Sequence, residues 1–166
     1  MADKTLDTLF HETLKDVYYA EKKLTTNLRK MAKAAQSPEL KAAFEQHEEE
    51  TQGQVERLNQ VFELIGKRPR AKTCDAIEGI IAEASEIMEE FKGSPAHDAG
   101  LLAAAQAVEH YEISRYGTLK AWAEKLGMDE AVQLLDQTLQ EETATDEKLT
   151  MLAESVINSA ATGKAA

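Results

Sequence analysis

The chain has 166 residues, a length typical of one domain with a substantial hydrophobic core. Its 8 glycines and 3 prolines are too few for the many tight turns of an all-β fold, and its formal net charge of −11 disfavours nucleic acid and anionic membranes as partners. Cys74 is the only cysteine, which excludes an internal disulfide and favours a reducing compartment. We predict a cytoplasmic all-α protein with no membrane segment, one domain over 1–160 and a flexible tail at 161–166.

Glycine, serine and proline divide the chain into five predicted helical segments. Ser37-Pro38 is typical of a helix start, because proline is favoured in the first turn. A linker runs from Gly66 to Thr73, a Gly-Ser-Pro break follows at 93–95, and Gly127 ends the segment after it. The five predicted segments, of which the third is the shortest, cover about 4–35, 38–65, 74–92, 96–126 and 128–158.

Each of the four long segments carries apolar residues spaced by three and four, which predicts an amphipathic helix. Every one of these apolar stripes is interrupted near its middle by acidic residues or histidine. The alternative interpretation is that these polar residues belong to a solvent-exposed helix face and not to the buried stripe. The interrupting residues, which we take as candidate metal ligands, are Glu21, His47, Glu50, Glu109, Glu112, Glu142 and Asp146.

The interruptions lie at matching heights. Glu21 and Glu50 lie about 15 and about 13 residues from the break that joins their two segments, so they differ in height by about 3 Å in a helical hairpin. Glu112 and Glu142 each lie about 15 residues from Gly127. The connection between the second and fourth segments is long enough to start the fourth beside the second and parallel to it. The carboxylates are therefore predicted to meet in the middle of a bundle.

Carboxylates that face one another in a dry core cannot all stay ionised, because burying an unpaired charge costs several kcal/mol. Shared protons relieve part of the repulsion, and no lysine or arginine occupies the interruptions. Two divalent cations would neutralise the group. Oxygen-rich ligation with one imidazole suits Fe or Mn better than Zn. We interpret the pattern as a dinuclear site bridged by Glu50 and Glu142.

Four sequence motifs also resemble those of a known family. DVYYAEKKL (16–24), FEQHEEETQGQVERL (44–58), QAVEHYEISRYGTL (106–119) and LQEETATDEKL (139–149) resemble the YciF-type bacterial stress proteins of the ferritin-like superfamily. The resemblance covers nearly the whole chain. It implies an antiparallel four-helix bundle with one long crossover that contains a fifth, shorter helix. It also implies a homodimer with a di-metal centre.

The sequence departs from the pattern of the wider ferritin-like superfamily in its histidines. Di-iron proteins of that superfamily carry Glu-x-x-His on two helices. Here the second segment has the reverse order, His47-x-x-Glu50, and the fifth has Glu142 and Asp146 without a histidine. This departure leaves the identity of the metal open.

Two functions remain open at this point. In the first, a di-iron or di-manganese centre acts on oxygen or peroxide during stress: Glu50 and Glu142 bridge the ions, and Glu109 assists. Its terminal ligands are Glu21, His47, Glu112 and Asp146. In the second, the metal only stabilises a helical dimer that acts by contact without turnover. Whether the protein is an enzyme is therefore undecided, and storage of iron in a large cage is disfavoured because the resemblance is to a dimer-forming family.

The remaining histidines and the tyrosines receive less specific predictions. We expect most of these rings to be surface groups, supporting groups or large core fillers rather than ligands: His11, His97, His110, Tyr18, Tyr19, Tyr111 and Tyr116. The third segment has a strong apolar face, which is expected to cover the bundle or a second subunit.

Overall fold

The computed structural model describes residues 4–163, and all regular secondary structure in that range is helical. The prediction of an all-α fold is confirmed. Within 4–163 no helix is long and apolar enough to cross a membrane. Of the tail predicted at 161–166, residues 164–166 lie outside the described range, as do residues 1–3. The helices are α1 (Leu6–Ala34), α2 (Pro38–Leu64), α3 (Asp75–Glu90), α4 (His97–Lys125) and α5 (Asp129–Leu152), followed by a π-helical turn (Ala153–Ile157) and the short α6 (Asn158–Ala161).

The turn between α1 and α2 is tied to the start of α4. Ser37 caps α2 by accepting a hydrogen bond from the backbone N–H of Leu40 at 3.3 Å. The buried carboxylate of Asp98 accepts the backbone N–H groups of Gln36 at 2.9 Å and of Ser37 at 2.6 Å. Helices α2 and α4 therefore begin at the same end of the molecule and run in the same direction, as the length of their connection predicts.

Glycine makes the turn between α4 and α5 possible. Gly127 has a φ of 69°, a left-handed conformation that glycine adopts without the steric cost of a Cβ atom. The backbone N–H of Met128 then reaches the carbonyl of Ala123 at 3.0 Å, a hydrogen bond that closes the last turn of α4. The chain reverses at this point, so α5 runs back along α4.

The helices form a bundle in which α1 packs against α2 and α4, and α5 packs against the same two helices. Helix α3, in the crossover from α2 to α4, packs mainly on α4 and touches α1. The long connection therefore crosses the outside of the bundle, and the interior is left to the other four helices.

The apolar core is split into two clusters. One cluster lies at the end with the α1–α2 turn and includes Leu28, Phe44 and Leu101. The other lies at the end with the α4–α5 turn and includes Phe10 and Leu119. Buried polar side chains occupy the level between them, so five of the seven interruptions seen in the sequence form one polar layer across the middle of the bundle.

Candidate metal centre

Four side chains of the polar layer converge on one point. His47 comes from α2, Glu109 and Glu112 come from consecutive turns of α4, and Glu142 comes from α5. Each offers one ligand atom, and these atoms all lie within 4.8 Å of one another. All four side chains are at most 3% exposed. Ligand atoms gathered around a common centre in this way could hold a metal ion.

Imidazole and carboxylates are in close contact in this group. The Nε2 atom of His47 lies 3.0 Å from Oε1 of Glu109, although the two are not aligned as a hydrogen bond, and 3.8 Å from Oε2 of Glu142. Glu21 of α1 is also fully buried and faces Glu112, so the carboxylates of these two residues act on one another electrostatically. All four long helices of the bundle interior thus contribute a side chain to the layer.

Many polar atoms of this group have no hydrogen-bond partner among the described residues. Buried polar groups in proteins are nearly always paired, so such a cluster needs an explanation, and a bound ion is one of them. The donor set, rich in carboxylate oxygen with a single imidazole, fits a divalent transition metal. The unpartnered atoms are both nitrogens of His47, both carboxylate oxygens of Glu109 and of Glu112, and Oε2 of Glu21 and of Glu142.

Burial shifts the protonation of the layer strongly. It raises the pKa of Glu112 and of Glu142 well above the ordinary value, and it raises the pKa of Glu21 to about 7. Burial alone would lower the pKa of His47, but the negative charge of the carboxylates around it, Glu109 first, raises that pKa well above its ordinary value. The layer therefore favours positive charge, supplied either by protons or by cations.

Glu50 lies between this group and the solvent. Its side chain is 31% exposed, and its Oε2 atom lies 3.8 Å from Nδ1 of His47. It accepts hydrogen bonds from Gln46 at 2.8 Å and from Thr145 at 3.4 Å. The nearby His47 ring lowers the pKa of Glu50, so this carboxyl stays ionised at neutral pH. Glu50 is therefore a neighbour of the four-residue group and not one of its members.

Asp146 of α5 faces α4, whereas Glu50 of α2 faces α5. Asp146 accepts hydrogen bonds from Gln106 at 3.2 Å and from the Nε2 atom of His110 at 3.2 Å, both on α4. His110 itself is exposed on the surface, as predicted. Of the seven candidate ligands, the structure brings five into the buried layer. The other two are nearer the surface: Glu50 lies where α2 meets α5, and Asp146 lies where α5 meets α4.

Two further residues hold the carboxylates in place. Gln54, which the sequence analysis did not single out, donates a hydrogen bond to Oε1 of Glu142. Tyr116, predicted as a core filler, is fully buried and donates its hydroxyl hydrogen bond to Oε1 of Glu21. The spacing could have indicated Gln54, since it follows His47 by two helical turns on the same buried face.

The chain matches a family model described as a domain of unknown function, DUF892, over residues 5–162. It is 48% identical over 163 residues to protein YciF of Escherichia coli (strain K12), and the match covers 98% of both chains. These matches confirm the resemblance carried by the four motifs.

Three solved structures also match this chain over most of its length. The crystal structure of the E. coli stress protein YciF matches with a TM-score of 0.89 at 48% identity, covering 94% of this chain and 99% of that one. YcfI from Rhodopseudomonas palustris matches with a TM-score of 0.86 at 47% identity, covering 88% and 93%. Protein XCC3681 from Xanthomonas campestris pv. campestris matches with a TM-score of 0.71 at 27% identity, covering 93% and 95%.

Proposed function

The chain belongs to the DUF892 family, and we propose that it is a ferritin-like metal protein whose bundle holds two divalent cations, Fe or Mn, in its buried carboxylate layer. In this proposal the protein works as a cytoplasmic homodimer during stress and acts on oxygen or peroxide. The E. coli relative is itself described as a stress protein.

The observation that carries the proposal is the set of buried oxygen and nitrogen atoms without partners. Six carboxylate oxygens and both ring nitrogens of His47 lack a hydrogen bond within the described chain. An uncompensated buried charge costs several kcal/mol, so a protein retains such a cluster only if something compensates it. Cations can take up the carboxylate oxygens and one nitrogen of His47 together, whereas protons can satisfy the carboxylates only by being shared between them.

The residues divide naturally between two ions. His47, Glu109, Glu112 and Glu142 would hold the first, because their ligand atoms already converge. Glu21 would contribute to the second together with the remaining oxygen of Glu112, which it faces. The oxygen-rich set with one imidazole supports Fe or Mn over Zn, which favours sulfur and nitrogen in structural sites.

In such chemistry the residues of this chain would position the metal-binding carboxylates and exclude bulk water. A bound pair of redox-active ions would supply the electrons for reaction with oxygen or peroxide. Tyr116 and Gln54 hold one oxygen of Glu21 and of Glu142, so that the other oxygen faces the site. The apolar clusters above and below the layer exclude bulk water and so strengthen each electrostatic contact inside it.

A second candidate function is a metal-stabilised helical dimer without turnover. It is favoured by the presence of only one histidine in the layer, and by the deep burial of all five inner residues, which limits the access of a substrate. The Rhodopseudomonas relative carries a provisional structural description, not an enzymatic one. Both functions require the metal, and they differ in whether oxygen or peroxide is consumed faster than with the free ion.

The test is the metal content per chain of protein purified without chelator, measured by elemental analysis. We expect about two Fe or Mn per chain for the unmodified protein. Glu112→Gln removes a central carboxylate with little change in shape and should lose most of the metal. Glu49→Gln, on the exposed side of α2, is the matched control and should retain it. Absence of metal from the unmodified protein, even after anaerobic addition of Fe(II) or Mn(II), would falsify the proposal.

A further inference from the structure

Glu50 connects the buried layer with the solvent. Its side chain is 31% exposed, while His47, against which it lies, is 3% exposed. The Nδ1 atom of His47 is 3.8 Å from Oε2 of Glu50 and has no hydrogen-bond partner in the described chain. An ion at Glu50 would therefore lie beside the His47 ring, at the edge of the inner group.

The carboxylate of Glu50 is positioned by residues of the seam between α2 and α5. Gln46, one helical turn before it, donates to Oε1 at 2.8 Å, and Thr145 of α5 donates to Oε2 at 3.4 Å. Lys148 of α5 holds Gln46 through a hydrogen bond of 2.5 Å to its side-chain oxygen. The side chain of Glu50 is thus fixed between the two helices with one oxygen directed inward.

The neighbouring approaches are occupied by side-chain pairs. Further along the same seam, Arg57 of α2 binds both Thr138 at 2.6 Å and Glu141 at 2.5 Å, which joins α2 to α5. On the other side of α5, Asp146 is hydrogen-bonded to Gln106 and His110. Hydrogen bonds between helices bridge both approaches, as Thr145 and Lys148 also bridge the seam at Glu50. What distinguishes the seam at Glu50 is a carboxylate that is 31% exposed and lies 3.8 Å from the buried His47 ring.

We propose that divalent cations reach the buried layer through the seam between α2 and α5, passing from solvent to Glu50 and from Glu50 to His47. This inference rests on the proposed metal function and adds a route to it. A carboxylate replaces part of the water shell of an incoming ion and raises its local concentration at the seam. Lys148, a positive charge beside the same seam, opposes this attraction.

The experiment measures the rate of Co(II) uptake by the metal-free full-length protein, followed by its visible absorption in a stopped-flow instrument. Glu50→Gln should slow uptake, and also slow the release of bound Co(II) to EDTA, each by about tenfold. The number of ions at saturation should not change, because a residue on the route alters the rates in both directions without being a ligand. Lys148→Gln should speed uptake severalfold.

Glu49→Gln is the matched control, since it removes the same charge from the adjacent exposed position of α2 and should leave both rates unchanged. Equal uptake rates for Glu50→Gln and the unmodified protein would overturn the route. Fewer ions at saturation in Glu50→Gln would also overturn it, because Glu50 would then be a ligand. If the unmodified protein binds no Co(II), Mn(II) or Fe(II), the proposed function itself fails, and that outcome is distinct from the other two.

Discussion

Glu21 and Glu142 share one feature in the buried layer: each has one oxygen held by a protein donor and one oxygen free. Tyr116 donates to Glu21, and Gln54 donates to Glu142. The second oxygen of each carboxylate is buried and has no hydrogen-bond partner within residues 4–163. Such donors orient a carboxylate before any ion arrives, which reduces the cost of organising a site.

Replacing Tyr116 tests this role. In Tyr116→Phe the carboxylate of Glu21 loses its donor and keeps two unpartnered oxygens. We expect the free energy of unfolding of the metal-free protein to fall by about 1–3 kcal/mol, the cost of leaving a buried polar group without its hydrogen-bond partner. Unfolding in urea, followed by circular dichroism, measures this change.

Tyr111→Phe is the matched control for that experiment. The hydroxyl of Tyr111 contacts the Sγ atom of Cys74 at 3.1 Å, away from the five inner residues of the layer. A sulfur atom is a weak hydrogen-bond partner, so we expect a smaller loss. Equal losses for the two variants would mean that the contact with Glu21 contributes nothing particular to the layer.

Helical periodicity predicts which residues of the site lie on a buried helix face, but not which residues lie at the edge of that face. Spacing by three and four identifies the buried face, and this is why Glu21, Glu112 and Glu142 were selected correctly as facing inward. Glu50 lies three residues after His47, a rotation of about 60° from it around the helix axis. Spacing cannot decide whether such a residue is in the core or at its edge. The packing of α2 against α5 decides it, and no single helix encodes that packing.

Among the helices, the contact between α3 and α4 is unusually close at one point. A Cβ atom placed on Gly100 of α4 would lie 2.5 Å from Cγ2 of Ile87 in α3. The side chain of Ile87 is branched at Cβ and cannot easily move away. The absence of a side chain at Gly100 therefore allows α3 to lie against α4.

Alanine at position 100 should weaken this packing. Alanine favours a helix over glycine by up to about 1 kcal/mol, while overpacking costs about 1–3 kcal/mol, so Gly100→Ala should lower the free energy of unfolding. Gly117→Ala, in the same helix, should raise it instead, because beyond the local backbone no described atom lies within 4 Å of the added Cβ. Chemical denaturation of the two variants measures both changes. Stabilisation of similar size in both would contradict the close contact.

The boundaries of the helices were predictable, whereas the position of α3 was not. Ser37, Pro38 and Gly127 act locally, through a cap, a fixed φ and a left-handed turn, so the sequence predicts them directly. The apolar face of α3 shows only that it must be covered. The structure buries Ile77 and Ala84 of that face in the cluster shared with α4 and α1. That outcome depends on the space left by Gly100, which the apolar pattern of α3 does not reveal.

For the molecule as a whole, the raised pKa values of the layer predict an unusual dependence of stability on pH. The pKa values of Glu112, Glu142 and His47 are well above their ordinary values in the folded state, and that of Glu21 is raised to about 7. The folded metal-free protein then binds more protons than the unfolded chain. Its free energy of unfolding should fall as the pH rises from about 5 to about 8, by about 1–3 kcal/mol per pH unit.

The metal should reverse this trend. Cations compete with protons for the same carboxylates and imidazole, so metal affinity increases with pH. Thermal unfolding at pH 5, 6, 7 and 8, with Mn(II) and with EDTA, compares the two states. We expect the stabilisation by Mn(II) to grow across this series. A metal-free protein that becomes more stable from pH 5 to pH 8 would contradict the shifts assigned to the layer.

The central claim, that the buried layer binds divalent metal, is tested most directly by anomalous X-ray scattering from crystals grown with Mn(II). We expect an anomalous peak enclosed by His47, Glu109, Glu112 and Glu142, and a second peak beside Glu21. A layer without a peak, in crystals whose Mn(II) concentration saturates the protein in solution, would contradict the claim. The carboxylates would then be held together by protons alone.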